Sequence, residues 1–236
     1  MITCSVWWAV PVDDTAEDRE LLTDVELDRY SAYRKPEDRR RFLTGRVLAK
    51  TLVGRRLGIP AADVVFDATC EDCDKQHGPP RIPGSRLRLS ISHSGDRVGL
   101  ALTDGAELGL DVESTTRRAD DGLLDYALSE AERTAVAELP DDDRTRAFFR
   151  YWTGKEALMK ATGKGLRIPL TSLTLSAPGE RTRLVSSEAP TLDPATTRLA
   201  SLQPGDGYDA AVAVLTGDEL DVTEHWWSPQ PAALGH

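Results

Sequence analysis

The sequence predicts an α+β fold with antiparallel sheet. Three observations lead there. Helical and strand patterns come in blocks rather than alternating one for one, short strand-type runs recur in both parts of the chain, and a strong turn dipeptide, Asp104-Gly105, separates two of them. The 236 residues suffice for one large domain or two small ones, each burying a core. We read two similar α+β halves, 1–105 and 106–225, followed by a tail at 226–236 that carries Trp226-Trp227 and is expected to be only partly ordered.

Each element has its own reason. Leu43, Val47, Leu48, Leu52, Val53 and Leu57 recur at helical spacing, and Gly58-Ile59-Pro60 ends that helix. Residues 67–86 are rich in Pro and Gly and read as a loop. Leu87, Leu89 and Ile91 alternate with polar residues as a half-buried strand does, and Val98–Thr103 reads as a second strand closed by the Asp104-Gly105 hairpin turn. Residues 108–113 form a third strand. Helical patterns follow near 121–138 and 145–162, then short alternating runs at 171–175, 181–186, 196–202 and 209–216.

Composition narrows the function. The formal net charge is −10, which argues against general nucleic-acid binding. An odd count of 3 cysteines fits a reducing compartment. No apolar run reaches the ~18 residues of a membrane span, and the acidic N-terminus has no basic region of a signal peptide, so the expected location is the cytoplasm. Against the acidic background, Arg29 to Arg56 holds 10 basic residues and only 2 acidic ones, which is either a solvated face or a local anion site.

Chemistry gathers around carboxylates. In Leu108-Gly109-Leu110-Asp111-Val112-Glu113 the apolar side chains share one face of the strand, so Asp111 and Glu113 share the other. Two acids so placed are a solvated strand face or the oxygen ligands of a hard cation such as Mg²⁺. On a helical wheel advancing about 100° per residue, Glu156 falls between Trp152 and Phe149, inside the apolar stripe of its helix. A carboxylate there needs a partner, a proton or a cation. An i,i+4 surface pair with Lys160 explains the spacing but not the aromatic surroundings. Ser92-His93-Ser94 follows a strand and could donate to phosphate oxygens.

Taken together, Ser92-His93-Ser94, Gly109-Leu110-Asp111-Val112-Glu113 and Trp152-Thr153-Gly154-Lys155-Glu156-Ala157-Leu158-Met159-Lys160 resemble the ordered motifs of the 4′-phosphopantetheinyl transferases. The length and the basic stretch Arg39–Arg46 look like the Sfp-type branch, in which two α+β halves form an intramolecular pseudo-dimer with the active site between them. The resemblance implies transfer of the phosphopantetheine arm of coenzyme A to a serine of an acyl or peptidyl carrier protein, by a monomer using Mg²⁺ or Mn²⁺. It implies Asp111, Glu113 and Glu156 as metal ligands, with Glu156 also a candidate base. Lys160 would contact the phosphate and assist the leaving group, and His93 and Ser92 would bind phosphates. Arg41 would take the 3′-phosphate, with Arg46 and Lys155 also on the coenzyme.

One departure stands out. Where this branch often has His-Gly-Lys-Pro, the chain has His77-Gly78-Pro79-Pro80, which leaves Arg81 or Lys75 to replace the lysine. In the same loop Cys70, Cys73 and His77 have the spacing of three zinc ligands without a fourth nearby, and two reduced cysteines are the plainer reading. The missing lysine motivates a non-catalytic CoA- or carrier-binding module as an alternative, and a Mg²⁺-dependent phosphohydrolase is another. Carrier docking is expected over Gly163-Lys164-Gly165-Leu166.

Overall fold

The structure, a computed structural model, describes residues 1–69, 76–116 and 120–229. Short 3₁₀ turns aside, β1 (Ile2–Ala9) leads into three helices, α1 (Ala16–Glu20), α2 (Asp24–Ala32) and α3 (Pro36–Leu57). Four strands follow: β2 (Asp67–Thr69), β3 (Gln76–Arg81), β4 (Leu87–Ser94) and β5 (Arg97–Asp104). The same order then recurs. β6 (Leu108–Ser114) precedes α4 (Asp121–Ala127), α5 (Glu130–Ala137) and α6 (Asp141–Thr162), and then come β7 (Leu173–Leu175), β8 (Leu184–Ser187), β9 (Thr197–Ser201) and β10 (Tyr208–Leu215). A last strand, β11 (Leu220–Trp226), ends the fold. Helices and strands thus come in blocks, the mixed α+β class that the pattern predicts.

The first sheet has the order β11-β1-β5-β4-β3-β2, the second β6-β10-β9, and β7-β8 is a separate pair. Pairing repeats along with element order: β1 with β5 and β5 with β4, then β6 with β10 and β10 with β9, are all antiparallel. Each unit carries one 22-residue helix ended by a glycine in the left-handed region, Gly58 at φ 70° and Gly163 at φ 67°. α3 lays Leu48, Leu52 and Val53 on Leu89 and Leu100 of the first sheet, whereas α6 packs Ala157, Leu158 and Ala161 toward Ala211 and Ala213 of the second. Among the described residues no helix is long and apolar enough to cross a membrane.

The long helices are anchored alike. Lys50 and Lys155 each lie fourteen residues after the first residue of their helix (36 to 50, 141 to 155), and both are fully buried. Lys50 meets Glu26 at 3.0 Å and donates to Val64 O, while Lys155 meets Glu132 at 2.5 Å and donates to Ala127 O and Leu170 O. Glu26 and Glu132 are the third helical residues of α2 and α5 and close the capping boxes that open those helices. One carboxylate therefore caps a short helix and holds a long one.

Four expectations change. The 67–86 loop contains β2 and β3; Pro79 and Pro80 lack N–H donors, so β3 meets β4 at the single rung Arg81↔Arg88. Asp104-Gly105 does turn, with Gly105 at φ 84°, but it carries the chain from β5 into the other sheet instead of closing a hairpin. The 121–138 helix is two helices, because Ser129 caps α5 in the middle of the pattern. Residues 220–226 form β11, parallel to β1 from Ile2↔Leu220 to Trp8↔Trp226, so the last strand of the fold joins the sheet that holds the first. Trp226 consequently belongs to a strand, 5.3 Å beneath the Arg97 guanidinium, and the Trp227 amide donates to Trp8 O.

β4 and β6 run alongside each other in the same direction, joined by side chains. Ser90, Ser92 and Ser94 Oγ accept from the backbone N–H of Leu110, Val112 and Ser114 at 3.0, 3.3 and 3.1 Å. Ser90→Ala leaves the Leu110 N–H buried without an acceptor and is expected to cost about 1–3 kcal/mol in urea unfolding. An unchanged midpoint would show that the hydroxyl ladder does not join the sheets.

Candidate active site

The site is assembled where α6 crosses β6. Gly109 permits that crossing: a methyl group there would fall on the Ala157 carbonyl oxygen. The close approach brings Lys160 of α6 onto β6, where Nζ donates to Asp111 Oδ1 at 2.7 Å, Leu110 O at 3.0 Å and Ser92 Oγ at 3.0 Å. The apolar face of β6, with Leu108, Leu110 and Val112, packs in a core with Val6 and Trp8. Asp111 and Glu113 are left on the opposite face, as strand alternation predicts.

Those carboxylates are held from β4. Ser92 Oγ donates to Asp111 Oδ1 at 3.1 Å, and Ser94 Oγ donates to Glu113 Oε2 at 2.9 Å. Asp111, Glu113, Glu156, Lys160, His93 and Trp152 border an open recess of about 330 Å³. It adjoins a cleft of about 360 Å³ whose walls include Arg41 and Arg46 of α3, Pro79 and Pro80 of β3, and Met159 and Gly163 at the end of α6. Glu156, Lys160 and His93 border both spaces.

The electrostatics fit a cation near the acids and anions in the cleft. Burial, then the charges of Asp111 and Glu113, push the Glu156 carboxyl above its ordinary value despite Lys160. Asp111 Oδ2 is buried without a hydrogen-bond partner, and the acids offer the hard oxygen donors that Mg²⁺ takes. Among the described residues no three acidic, His or Cys side chains are already gathered as a ligand cage, and Lys160 holds Asp111 Oδ1. Desolvation at the mouth of the cleft, then Lys160 and Arg41, push the His93 imidazole below its usual range.

The cleft brings together most residues singled out in the sequence. Arg41 donates to Gly95 O and pairs with Asp38 at 2.5 Å. Arg46 is packed over Phe42 and Phe66 beside Glu26, with Nη1 buried and unpartnered. Two residues lie elsewhere. Lys155 points into the core onto Glu132, because its position on the helix puts it across from the recess, so it is an anchor and not a coenzyme contact. Arg81 is bound to Glu107, which also holds Arg88, away from the cleft walls. Cys70, Cys73, Lys75 and the His77 side chain lie outside the described residues. Ser94 belongs to the Ser92-His93-Ser94 motif but has no site role assigned from the sequence; the Ser-x-Ser-x-Ser alternation beside the Gly-x-Asp-x-Glu strand is the further signal for its contact with Glu113.

Comparison with known proteins points one way. The family model described as the 4′-phosphopantetheinyl transferase superfamily matches residues 107–213. The 4′-phosphopantetheinyl transferase HetI of Nostoc sp. is 32% identical over 213 residues, 88% of this chain and 86% of that protein. The transferase psf-1 of Bacillus pumilus is 32% identical over 67% of this chain and 69% of its own, and Sfp of Bacillus subtilis is 29% identical over 65% and 71%. A holo-(acyl-carrier-protein) synthase from Bacillus anthracis, solved in complex with CoA, is 20% identical, with TM-score 0.40 over 48% of this chain and 96% of that one.

Two outcomes test this geometry. Because the folded state holds the Glu156 proton more tightly than the unfolded chain, stability falls as pH rises from 4.5 through the raised pKa. Glu156→Gln lacks that loss, so in metal-free urea unfolding its advantage over the parent is expected to grow between pH 4.5 and neutrality; a constant difference would contradict the raised pKa. Lys155→Met strands Glu132, whose side chain is 1% exposed, and is expected to destabilise by about 3–5 kcal/mol. A loss in the rate of carrier modification with intact stability would return Lys155 to the site.

Proposed function

The chain belongs to the 4′-phosphopantetheinyl transferase family, and from that premise we propose how its residues divide the work. It is a transferase that moves the phosphopantetheine arm of coenzyme A to a carrier-protein serine. The observation that carries the site assignment is the convergence of Asp111, Glu113, Glu156 and Lys160 on one recess beside a cation-lined cleft.

Coenzyme A is placed in the cleft, with its 3′-phosphate toward Arg41 and Arg46 and its pyrophosphate toward His93 and Lys160. The buried, unpartnered Arg46 Nη1 supports that orientation. Asp111 and Glu113, with Glu156 beside them, would hold Mg²⁺ or Mn²⁺, which when bound neutralises charge on the pyrophosphate. The carrier serine oxygen forms a bond to the pantetheine-side phosphorus, and the bond to 3′,5′-adenosine bisphosphate breaks. Glu156, with its raised pKa, is placed to take the serine proton, and Lys160 to offset charge on the departing phosphate. Ser92 is assigned to Asp111 and Lys160 instead of to phosphate, since its hydroxyl already donates one bond and accepts two.

The two units are read as a pseudo-dimer, residues 1–105 and 106–225, with the site between them and no second chain required. Supporting this are the repeated element order, the repeated pairings and the twin anchors Glu26–Lys50 and Glu132–Lys155. An acyl or peptidyl carrier is expected over the exposed rim at Gly163–Lys164–Gly165. Arg81 is held elsewhere, so no replacement for the loop lysine is assigned to it.

Intact-protein mass spectrometry of apo carrier proteins incubated with CoA, Mg²⁺ and this enzyme tests the reading. A gain of one phosphopantetheine, lost with EDTA and in Asp111→Ala, is the expected outcome. No gain across acyl and peptidyl carriers, with CoA still bound, would leave only a binding module.

A further inference from the structure

The serine ladder does more than join two sheets. Its three rungs share one register: Ser90, Ser92 and Ser94 accept from the amides of residues 110, 112 and 114, so the residues one earlier on β6 are 109, 111 and 113. At the first rung that residue is Gly109. At the other two it is a carboxylate, and the hydroxyl donates to it, Ser92 to Asp111 Oδ1 and Ser94 to Glu113 Oε2.

The backbone dictates this direction. A serine hydroxyl has one hydrogen and two lone pairs. With an amide N–H from β6 directed at the oxygen, the hydroxyl hydrogen must leave on another side, and there the carboxylate accepts it. Ser92 is saturated, because Lys160 Nζ takes its second lone pair. Asp111 Oδ1 thereby receives both Ser92 and Lys160, which leaves Oδ2 buried, without a partner, at the wall of the recess. Glu113 needs the restraint more, since its longer side chain has one more rotatable bond and is only half-buried.

We propose that Ser94 and Ser92 are positioning residues that fix Glu113 and Asp111 in the orientation that takes the metal ion, so that strand β4 of the first unit sets the metal affinity of carboxylates on strand β6 of the second. The proposal rests on the metal role given above to those two acids. It concerns residues that touch the ligating carboxylates and not the reacting atoms, so metal binding is its direct readout.

The test is a Mn²⁺ titration followed by electron paramagnetic resonance, on the full chain with CoA present and no carrier protein. Loss of a hydrogen bond to a ligating group typically weakens metal binding about 10–100-fold, and Ser94→Ala is expected within that range. Ser94→Thr, which keeps the hydroxyl, is expected to recover most of the affinity, and the CoA KM of Ser94→Ala at saturating Mg²⁺ is expected to stay near the parent value. Asp111→Asn separates the two levels of the argument. If Asp111→Asn loses Mn²⁺ while Ser94→Ala binds like the parent, the positioning role is overturned and the metal site stands. If Asp111→Asn also binds like the parent, the metal site falls and takes the positioning role with it. A Ser94→Ala loss that threonine does not recover would assign the effect to packing, not to the hydroxyl.

Discussion

A strand with one paired edge still has N–H groups to satisfy on the other, and β6 is such a strand. Its first edge is taken by β10, and the amides of Leu110, Val112 and Ser114 face β4. Serine hydroxyls meet them, so the two sheets stay distinct yet locked together. Buried amides without acceptors are costly, and three on one strand would oppose the whole arrangement. Because the same hydroxyls also donate to Asp111 and Glu113, satisfying the backbone and orienting the acids are one event. Gly109 completes the constraint by letting α6 approach close enough for Lys160 to reach that rung.

The two buried lysines show a different use of charge. Burying Lys50 and Lys155 gives up hydration, and even with Glu132 alongside, burial pulls Lys155 below its ordinary pKa. Each pair instead specifies position: a helix cap on one side, a lysine in mid-helix on the other, and backbone carbonyls as the remaining acceptors. That fixes where α3 and α6 lie along their sheets. Lys160, five residues beyond Lys155, then emerges at the recess with Glu156. Neighbouring lysines of one motif thus serve opposite ends, one holding the helix and one facing the chemistry.

Much of the site was legible because it depends on periodicity. Alternation put Asp111 and Glu113 on one face, and the helical wheel put Glu156 in the apolar stripe, where its carboxyl does lie near aromatic Trp152. Pairing between distant strands was not legible. Asp104-Gly105 encodes a reversal of direction but not the sheet the chain enters next, and β11 reaches β1 over more than two hundred residues. Lys155 was misread because helical spacing gives its angle but not the buried Glu132 waiting there. Ser90, Ser92 and Ser94 looked like the polar side of a strand, since nothing local reveals that the amides of another strand face them.

Amide hydrogen exchange measured residue by residue would test the central constraint most directly. The amides of Leu110, Val112 and Ser114 donate to serine hydroxyls, so protection comparable to the β4–β5 ladder is predicted, with Val112 alone losing most of it in Ser92→Ala. Exchange of those three amides at the rate of exposed loop residues would contradict the account, because β4 and β6 would then lie together without the bonds that set the site.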